Sequence, residues 1–238
     1  MRIKTPINRQ TIKDHMTYSV WKYALMAACV IFGWSLIYTT TAYRSPQNKR
    51  VDVYIQSSTT SKEIVDAFME PIWKETVPDM EIVSSVVLVP LDEASTSMQL
   101  MTYLAAGEGD IYFLQESYFK NLASAGFFLP LEDLIADQQL DVSDIDLSKG
   151  YVTYVEEYDE NDRPVKTANH LYGIPLETFY GFMSNMQMDN RGLYAVITVT
   201  NHNDENVKPF FNALLQAGRG EKEAWITEYY EATGGEAK

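Results

Sequence analysis

Hydrophobic and polar positions along residues 51 to 134 alternate in blocks that predict strands followed by helices. Three apolar runs rich in β-branched residues predict strands, at Val51 to Gln56, Glu81 to Pro90 and Asp110 to Leu114. A segment with helical spacing follows each strand. The first has apolar residues at Ile64, Phe68 and Ile72, and the second at Met98, Met101, Leu104 and Ala105. The third comprises residues 116 to 125. Because parallel strands need crossover connections, this alternation predicts a mostly parallel sheet flanked by helices.

Local signals predict where the first of these helices begins and ends. Thr60 and Glu63 have the spacing of a capping box, in which two side chains satisfy free amides of the first turn. Pro71 predicts a kink or an early end, because proline lacks the amide that a helix interior needs.

The alternation of strands and helices ends after Leu134. The acidic stretch from there to residue 150 predicts at most a short helix. Further strands are predicted at Tyr151 to Tyr158 and Val165 to Ile174, around the charged turn Asp159 to Arg163, and at Phe179 to Met183 and Leu193 to Thr200. A helix is predicted at Glu205 to Leu215, before a polar and acidic tail that holds Trp225, Tyr229 and Tyr230 on a final helical turn.

The first fifty residues have the pattern of a membrane anchor. Residues 23 to 43 carry no charge, and a helix of 21 residues spans about 31 Å, close to the hydrocarbon thickness of a bilayer. Aromatic residues lie toward both ends of this stretch, as in the headgroup regions of membranes. We therefore expect a cytoplasmic segment at 1–22, a transmembrane anchor at 23–43 and a linker at 44–50.

Two other interpretations of this segment fit less well. A cleaved signal peptide needs a shorter apolar core and a small-x-small site, for which Thr40 to Ala42 is a poor candidate. A lipoprotein signal would place its apolar core before Cys29, whereas the strongly apolar run Val30 to Phe32 follows it. The uncleaved single-pass anchor is the preferred interpretation.

Charge divides the chain at the same place. The 238 residues include 19 basic and 33 acidic ones, and eight of the basic but only one of the acidic residues lie in the first fifty. The remaining 188 residues carry 11 basic and 32 acidic groups, a balance of −21. Such a domain repels phosphate backbones, which argues against nucleic-acid binding, and the positive-inside tendency predicts that it lies outside the cytoplasm.

Catalytic and metal-binding patterns are sparse. The chain has one cysteine and three histidines, and it contains no nucleophile elbow, P-loop or dinucleotide-binding fingerprint. The acidic sets Asp141, Asp144, Asp146 and Asp159, Glu160, Asp162 lack the glycine and the glutamate of a helix-loop-helix calcium site. We expect no catalytic residues, no metal site and no cofactor.

A stronger signal is the set of polar and aromatic residues at the junctions from strand to helix. Ligands of open α/β sheets lie beyond the carboxyl ends of the strands, here Gln56 to Thr59, Val89 to Asp92 and Gln115 to Tyr118. Hydroxyl groups there can bind a neutral polar ligand, and Tyr118 can stack on a sugar or peptide face. Helix capping by Ser58 and Thr60, and core packing of Phe119, are the structural alternatives.

Two stretches resemble the extracytoplasmic solute-binding proteins of ABC importers, in particular the sugar- and oligosaccharide-binding group. Residues 107 to 135 resemble the family segment in which "G-x-x-P-D" enters a strand, followed by a helix, a glycine and "L-x-x-L". Residues 171 to 185 (LYGIPLETFYGFMSN) resemble the family's "YG-[IV]-P" crossover. Gly109 stands directly before Asp110, where the family more often has proline.

The departure from the family is one of length. Its members run to about 400 residues in two lobes, whereas residues 193 to 218 here resemble a late segment that closes the first lobe. The resemblance therefore implies a single α/β lobe at 51–218 with an acidic tail at 219–238, and a former cleft that faces water.

The resemblance implies a membrane-anchored protein that binds a sugar or similar small solute for an ABC importer, without catalysis. Eight residues are carried over by their position at strand ends: Ser57, Ser58, Thr59, Glu116, Ser117, Tyr118, Glu177 and Tyr180. Aromatic residues of an exposed cleft, Tyr118, Tyr172, Phe179 and Tyr180, would suit a sugar or a protein equally. The alternative function is an accessory protein that docks onto a transporter or sensor complex, and a secreted hydrolase would need two facing carboxylates.

Overall fold

The computed structural model describes residues 8–43, 45–89, 92–159, 164–199 and 203–234, and the chain divides into two compact units, Met1–Arg44 and Ser45–Lys238. Parts of several predicted features lie outside the described residues: the first seven residues of the cytoplasmic segment, Pro90 and Leu91 after the second strand, most of the charged turn after Asp159, residues 200 to 202 and the last four residues of the tail.

The first unit is formed by helix α1, Arg9–Thr41, which is 33 residues long. Its stretch Ser19–Thr41 has a mean hydropathy of 1.6 and is long and apolar enough to cross a membrane, by length and composition. The second unit contains the remaining elements.

A five-stranded sheet with the order β2-β1-β3-β7-β6 organises the second unit. Its strands are β1 (Arg50–Gln56), β2 (Ile82–Leu88), β3 (Ile111–Gln115), β6 (Ile174–Pro175) and β7 (Leu193–Ile197). Four strands run in one direction, and β7 runs antiparallel to its neighbours β3 and β6. The predicted mostly parallel sheet is confirmed.

Helices cover both faces of this sheet, and a hairpin stands apart from it. The helices are α2 (Lys62–Thr76), α3 (Glu93–Ala105), α4 (Glu116–Ser124), α5 (Glu132–Ala136), α6 (Tyr180–Met186), α7 (Asp204–Gly218) and α8 (Ala224–Ala232). The hairpin pairs β4 (Tyr151–Tyr158) with β5 (Pro164–Leu171), and short 3-10 turns lie at Gln47–Lys49 and Ser148–Gly150.

Alternate residues of β1 serve two hydrophobic cores, as the period of two in a strand requires. Val53 and Ile55 face the core that contains α2 and α7, whereas Tyr54 faces the core that contains α3 and α4. Residues 111 to 114 of β3 are all buried, since this central strand is covered on both faces. This explains why its sequence is nearly all apolar.

The strand predicted at Phe179 to Met183 is wrong, because helix α6 begins at Tyr180 and Phe179 is its N-cap residue. Phe182 and Met186, one helical turn apart, pack into the core of α2 and α7, whereas Met183 packs against Ile226 and Tyr230 of α8. A five-residue apolar run fits a buried strand and a buried helix turn equally well, so periodicity alone could not decide.

Two details of the predicted helices are also wrong. Leu100 and Leu104 face the core from α3, whereas Met98 and Met101 are exposed, so the buried stripe does not follow the methionines. The N-cap of α2 is Ser61 and not Thr60, which shifts the predicted capping box out of register. Pro71 lies inside α2, which continues for five more residues.

Candidate functional site

The carboxyl ends of β1, β3 and β6 point to the same edge of the sheet, because these three strands run in one direction. The segments that leave this carboxyl edge are residues 57 to 61, 116 to 118 and 176 to 178. Seven of the eight residues predicted for the site lie on these segments, and the eighth, Tyr180, is the first residue of α6. Strand direction therefore gathers residues that are up to 120 positions apart in the sequence.

The segment after β1 is a loop of hydroxyl side chains at residues 57 to 61, the hydroxyl loop. The Thr59 amide donates a hydrogen bond to Ser57 Oγ (3.2 Å), and the two hydroxyls lie 3.2 Å apart. Thr59 Oγ1 also accepts a hydrogen bond from the backbone amide of Asp189, at 3.2 Å. Ser57 is buried, and Ser58 and Thr59 are exposed. The loop is therefore tied to the segment that precedes β7.

Gln56, at the end of β1, lies at the same edge of the sheet and was not among the residues predicted from the sequence. Its Oε1 accepts a hydrogen bond from the backbone amide of Gln115 at 2.9 Å, which joins the ends of β1 and β3. The residue is 1% exposed, and its Nε2 has no hydrogen-bond partner among the described residues. The same holds for the buried Thr60 Oγ1. The available signal was a glutamine at the end of an otherwise apolar strand.

Charged side chains form a second group at the carboxyl edge. Lys149 Nζ donates to both carboxylate oxygens of Glu177, at 3.1 Å each, and Lys120 pairs with Glu116. The hydrogen bond and charge of Glu177, with further charge from Glu116, raise the pKa of Lys149. Burial, followed by the charges of Glu116 and Glu177, raises the pKa of Tyr194 to about 12. Both carboxylates are thus near Tyr194 and Lys149, two residues that sequence reasoning missed.

The aromatic residues predicted for an open cleft do not lie together on its surface. Tyr172 is 4% exposed and Phe179 is 1% exposed, so both are core residues and their predicted exposure is wrong. Tyr118 is half-buried against the core of α3 and α4, and Ser117 beside it is exposed. Tyr180 packs against Met183 and the Ile226 and Tyr230 side chains of α8.

Three cavities of this unit are lined by other residues. A groove of about 590 Å³ is lined mainly by apolar residues of α2, and a polar cavity of about 230 Å³ lies at the amino end of β1, next to residues 106 to 110. A cavity of about 200 Å³ includes Thr178 and Phe179, which follow Glu177 in the sequence. In the described parts of the chain, no three His, Cys, Asp or Glu side chains are placed to hold a metal ion.

Comparison with solved structures gives partial matches, and the three described below have TM-scores below 0.4. The chain is similar to a family 1 extracellular solute-binding protein from Alicyclobacillus acidocaldarius, with 19% identity, a TM-score of 0.37, and coverage of 56% of this chain and 29% of that one. It is similar to the ABC substrate-binding protein Lmo0181 from Listeria monocytogenes, solved in complex with cycloalternan, with 19% identity, a TM-score of 0.36, and coverage of 52% and 28%. No protein-family model matches the chain, and the curated proteins give no match.

A third similar structure is an N-glycan transport solute-binding protein, NgtS, from Streptococcus pneumoniae. It has 15% identity and a TM-score of 0.33, and the match covers 53% of this chain and 24% of that one. The chain therefore spans less than a third of the length of these solute-binding proteins.

Proposed function

We propose that this protein is a membrane-anchored, extracytoplasmic binding protein for a neutral, hydroxyl-rich solute such as a sugar. Helix α1 holds it in the membrane with the N-terminus in the cytoplasm. The solute contacts the carboxyl edge of the sheet, where the hydroxyl loop, Glu116 to Tyr118 and Glu177 lie. The protein binds and does not catalyse.

One observation supports this ligand class most directly: two side chains close together in the sequence, Gln56 and Thr60, each have a polar atom without a hydrogen-bond partner. Gln56 Nε2 and Thr60 Oγ1 are buried and make no hydrogen bond within the described part of the chain. Buried polar groups nearly always have partners, and each such group costs about 1 to 3 kcal/mol when it has none. An uncharged amide donor and a hydroxyl suit the hydroxyl oxygens of a neutral ligand.

The charges at this edge support the same ligand class. Glu116 and Glu177 are each paired with a lysine, so these four side chains together carry no net charge. Their carboxylate oxygens can still accept hydrogen bonds from the hydroxyl groups of a ligand. Similar solute-binding proteins have been solved in complex with cycloalternan, acarbose and Man5GlcNAc. These saccharides are therefore the first probes.

A single lobe limits the affinity of such a site. A ligand held against one wall leaves a face in water, and burial is a main source of affinity. We expect dissociation constants of about 1 mM, or roughly 4 kcal/mol. Delivery of the solute to a transporter then needs a partner protein that covers the exposed face of the ligand. The proposed partner is the permease of an ABC importer.

The test is thermal unfolding of the full chain in detergent micelles with cycloalternan, acarbose or Man5GlcNAc, and with a tripeptide as the contrasting ligand. At 100 times the dissociation constant a ligand adds about 2.7 kcal/mol of stability. For a domain of this size the midpoint should rise by roughly 5 to 10 °C. A shift with a saccharide and none with the peptide is the expected result.

Thr60→Val connects that shift to the site. The variant removes a buried hydroxyl without an internal partner while keeping its shape, so the unfolding midpoint without ligand should rise and not fall. Saccharide affinity should fall by roughly threefold to tenfold, whereas the control Thr76→Val, at the other end of α2, should bind normally. A sharp transition that no saccharide moves would contradict solute binding and favour the accessory-protein alternative.

A further inference from the structure

Residues 187 to 192 cross the carboxyl edge of the sheet, and we call this segment the strap. At one end the Asp189 amide donates a hydrogen bond to Thr59 Oγ1, at 3.2 Å. At the other end the Gly192 carbonyl accepts a hydrogen bond from the Glu116 amide, at 3.0 Å. The strap therefore runs from the hydroxyl loop after β1 to the beginning of α4, over the edge where the candidate site lies.

Asn190, in the middle of the strap, joins three separate segments through one buried side chain. It is fully buried, and its Nδ2 donates to the carbonyls of Leu176 (2.8 Å) and Glu177 (3.3 Å). Its Oδ1 accepts a hydrogen bond from the Tyr230 hydroxyl, at 2.5 Å. Both halves of the amide are thus used, one toward the end of β6 and the other toward helix α8. Hydrogen bonds in such a buried network depend strongly on one another.

Arg191 adds a second connection between the strap and α8. Its Nε donates to the Asp189 carboxylate at 2.9 Å, and its Nη2 donates to Thr233 Oγ1 at 2.9 Å. The guanidinium carbon lies 4.7 Å from the ring centre of Tyr230 and 5.7 Å from that of Tyr229, which is cation–π distance. Two consecutive strap residues therefore contact the same face of α8.

Helix α8 itself is held by few contacts. It has nine residues, of which Ile226 and Tyr230 are buried. These two pack with Met183 of α6, and Glu223 just before the helix accepts a hydrogen bond from Ser184. So short a helix is not stable alone and depends on this packing. Elements with few buried contacts open more easily than the core of a domain.

We propose that α8 is a latch that holds the strap closed over the carboxyl ends of β1 and β3. When α8 is docked, Tyr230 and Arg191 hold the strap against Thr59 and the Glu116 amide. When α8 leaves its position, the strap loses these anchors, and the buried side chains of Gln56 and Ser57 become accessible. Asn190 and Tyr230 are positioning residues, because they act on the site through the strap. The latch itself does not depend on the proposed solute, whereas its role as a gate for solute rests on the proposed function.

The test is hydrogen exchange of the full chain in micelles, followed by mass spectrometry with electron-transfer fragmentation, which resolves single amides. Two amides report directly on the strap: Asp189, which donates to Thr59, and Glu116, which donates to Gly192. Tyr230→Phe removes the hydroxyl that binds Asn190, and exchange at these two amides should accelerate by tenfold or more while the amides of β1 and β3 keep their protection. The matched control is Tyr229→Phe, which keeps the Tyr230 hydroxyl and should leave both amides unchanged.

Asn190→Asp separates the two halves of the network. The aspartate keeps an acceptor for Tyr230 and loses the donor to Leu176 and Glu177, so the strap should exchange faster while α8 stays protected. Two results with Tyr230→Phe would overturn the latch: faster hydrogen exchange of the α8 amides alone, or equally faster exchange across the whole sheet. The latch is also overturned if Asn190→Asp speeds exchange in α8 and leaves the strap amides protected.

Ligand titrations in the same samples keep this proposal separate from the proposed function. Faster strap exchange without any saccharide binding supports the latch and contradicts the solute role. Saccharide binding with an unchanged strap in Tyr230→Phe contradicts the latch and supports the solute role. If both hold, Tyr230→Phe should change saccharide affinity by at least threefold, while Tyr229→Phe should not.

Discussion

Asp66 on helix α2 accepts hydrogen bonds from both the backbone amide (3.0 Å) and the hydroxyl (2.6 Å) of Ser85 in the outermost strand β2. Lys62, one turn earlier on the same helix, donates to the Ser85 carbonyl at 2.9 Å and pairs with Asp66. Two side chains of α2 therefore bind the amide and the carbonyl of Ser85, at the middle of β2, which a further strand would otherwise pair with. Uncovered edge strands are sites of pairing between chains, and β2 carries no charged residue of its own.

Asp66→Ala is expected to expose this edge. The Ser85 amide and hydroxyl, in a residue that is 1% exposed, would lose their partner, at a cost of about 1 to 3 kcal/mol of unfolding free energy. We also expect self-association at high concentration, measured by sedimentation of the detergent-solubilised chain. The control Asp79→Ala, in the exposed turn after α2, should stay as monodisperse as the unaltered protein. Association of the two variants to the same degree would show that Asp66 does not protect the edge.

The pH dependence of stability provides a second test of the same carboxylate. Burial alone would raise the pKa of Asp66, but hydrogen bonds from Lys62 and Ser85 outweigh it and hold the pKa below its ordinary value. A lowered pKa in the folded state means that this stabilisation is present above the unfolded-state pKa of about 3.9 and is lost as the pH falls through the folded-state value. Chemical unfolding at pH 6 and at pH 3 should therefore show a smaller acid-dependent loss in Asp66→Asn than in the unaltered protein. An identical loss in both proteins would contradict this assignment.

Gly109 and Gly107 form a matched pair for backbone strain. Both have positive φ, +82° and +67°, where a side chain costs about 1 to 2 kcal/mol. A Cβ on Gly109 would lie 2.6 Å from ring carbons of Tyr54 and Tyr112, which stack at 4.8 Å, whereas a Cβ on Gly107 would meet nothing within 4 Å. Unfolding in denaturant should show Gly107→Ala about 1 kcal/mol less stable and Gly109→Ala about 3 kcal/mol less stable. Equal losses would mean that the tyrosine pair moves aside freely.

Gln56→Met tests the connection between the ends of β1 and β3. Methionine has a similar length but no acceptor for the Gln115 amide, and it also removes the unpaired Nε2. The lost acceptor costs about 1 to 3 kcal/mol and the removal of Nε2 offsets part of this, so we expect a net loss of about 1 kcal/mol of unfolding free energy. Gln99→Met, on the exposed side of α3, is the control and should change stability by less than about 0.5 kcal/mol. A Gln56→Met protein as stable as the unaltered chain would show that the sheet ends are held without this bond.

Strands β1, β2, β3 and β7 were predictable because each is a short apolar run bounded by polar or turn residues. The strand predicted at Val165 to Ile174 was wrong in its extent, because β5 ends at Leu171 in the hairpin and β6 begins at Ile174 in the main sheet. The buried character of β3 and the direction of β1, β2 and β3 followed from this pattern and from the helices between them. The pattern failed where an apolar run was too short to show its period, as at Phe182 and Met183 in α6. It also failed on α3, where the flexible methionines Met98 and Met101 lie on the exposed side and Leu100 takes the core.

The candidate site was predictable only as a location. Strand ends identified the hydroxyl loop and Glu116, but the partners of these residues come from distant parts of the chain. Asn190 and Tyr230 are 40 residues apart, and nothing local in either segment indicates that their side chains meet. Burial of Tyr172 and Phe179 likewise depends on helices whose packing the sequence pattern does not specify.

The position of β7 has a consequence for how the chain acquires its fold during synthesis. This strand is the last of the sheet to be made, yet it lies between β3 and β6 and pairs with both. A nascent chain that ends before residue 193 has three neighbouring strands with an open inner edge at β3, and nothing to which β6 can attach. Contacts over such long sequence separations form slowly. Premature termination anywhere before β7 should therefore yield an aggregation-prone fragment rather than a smaller working lobe.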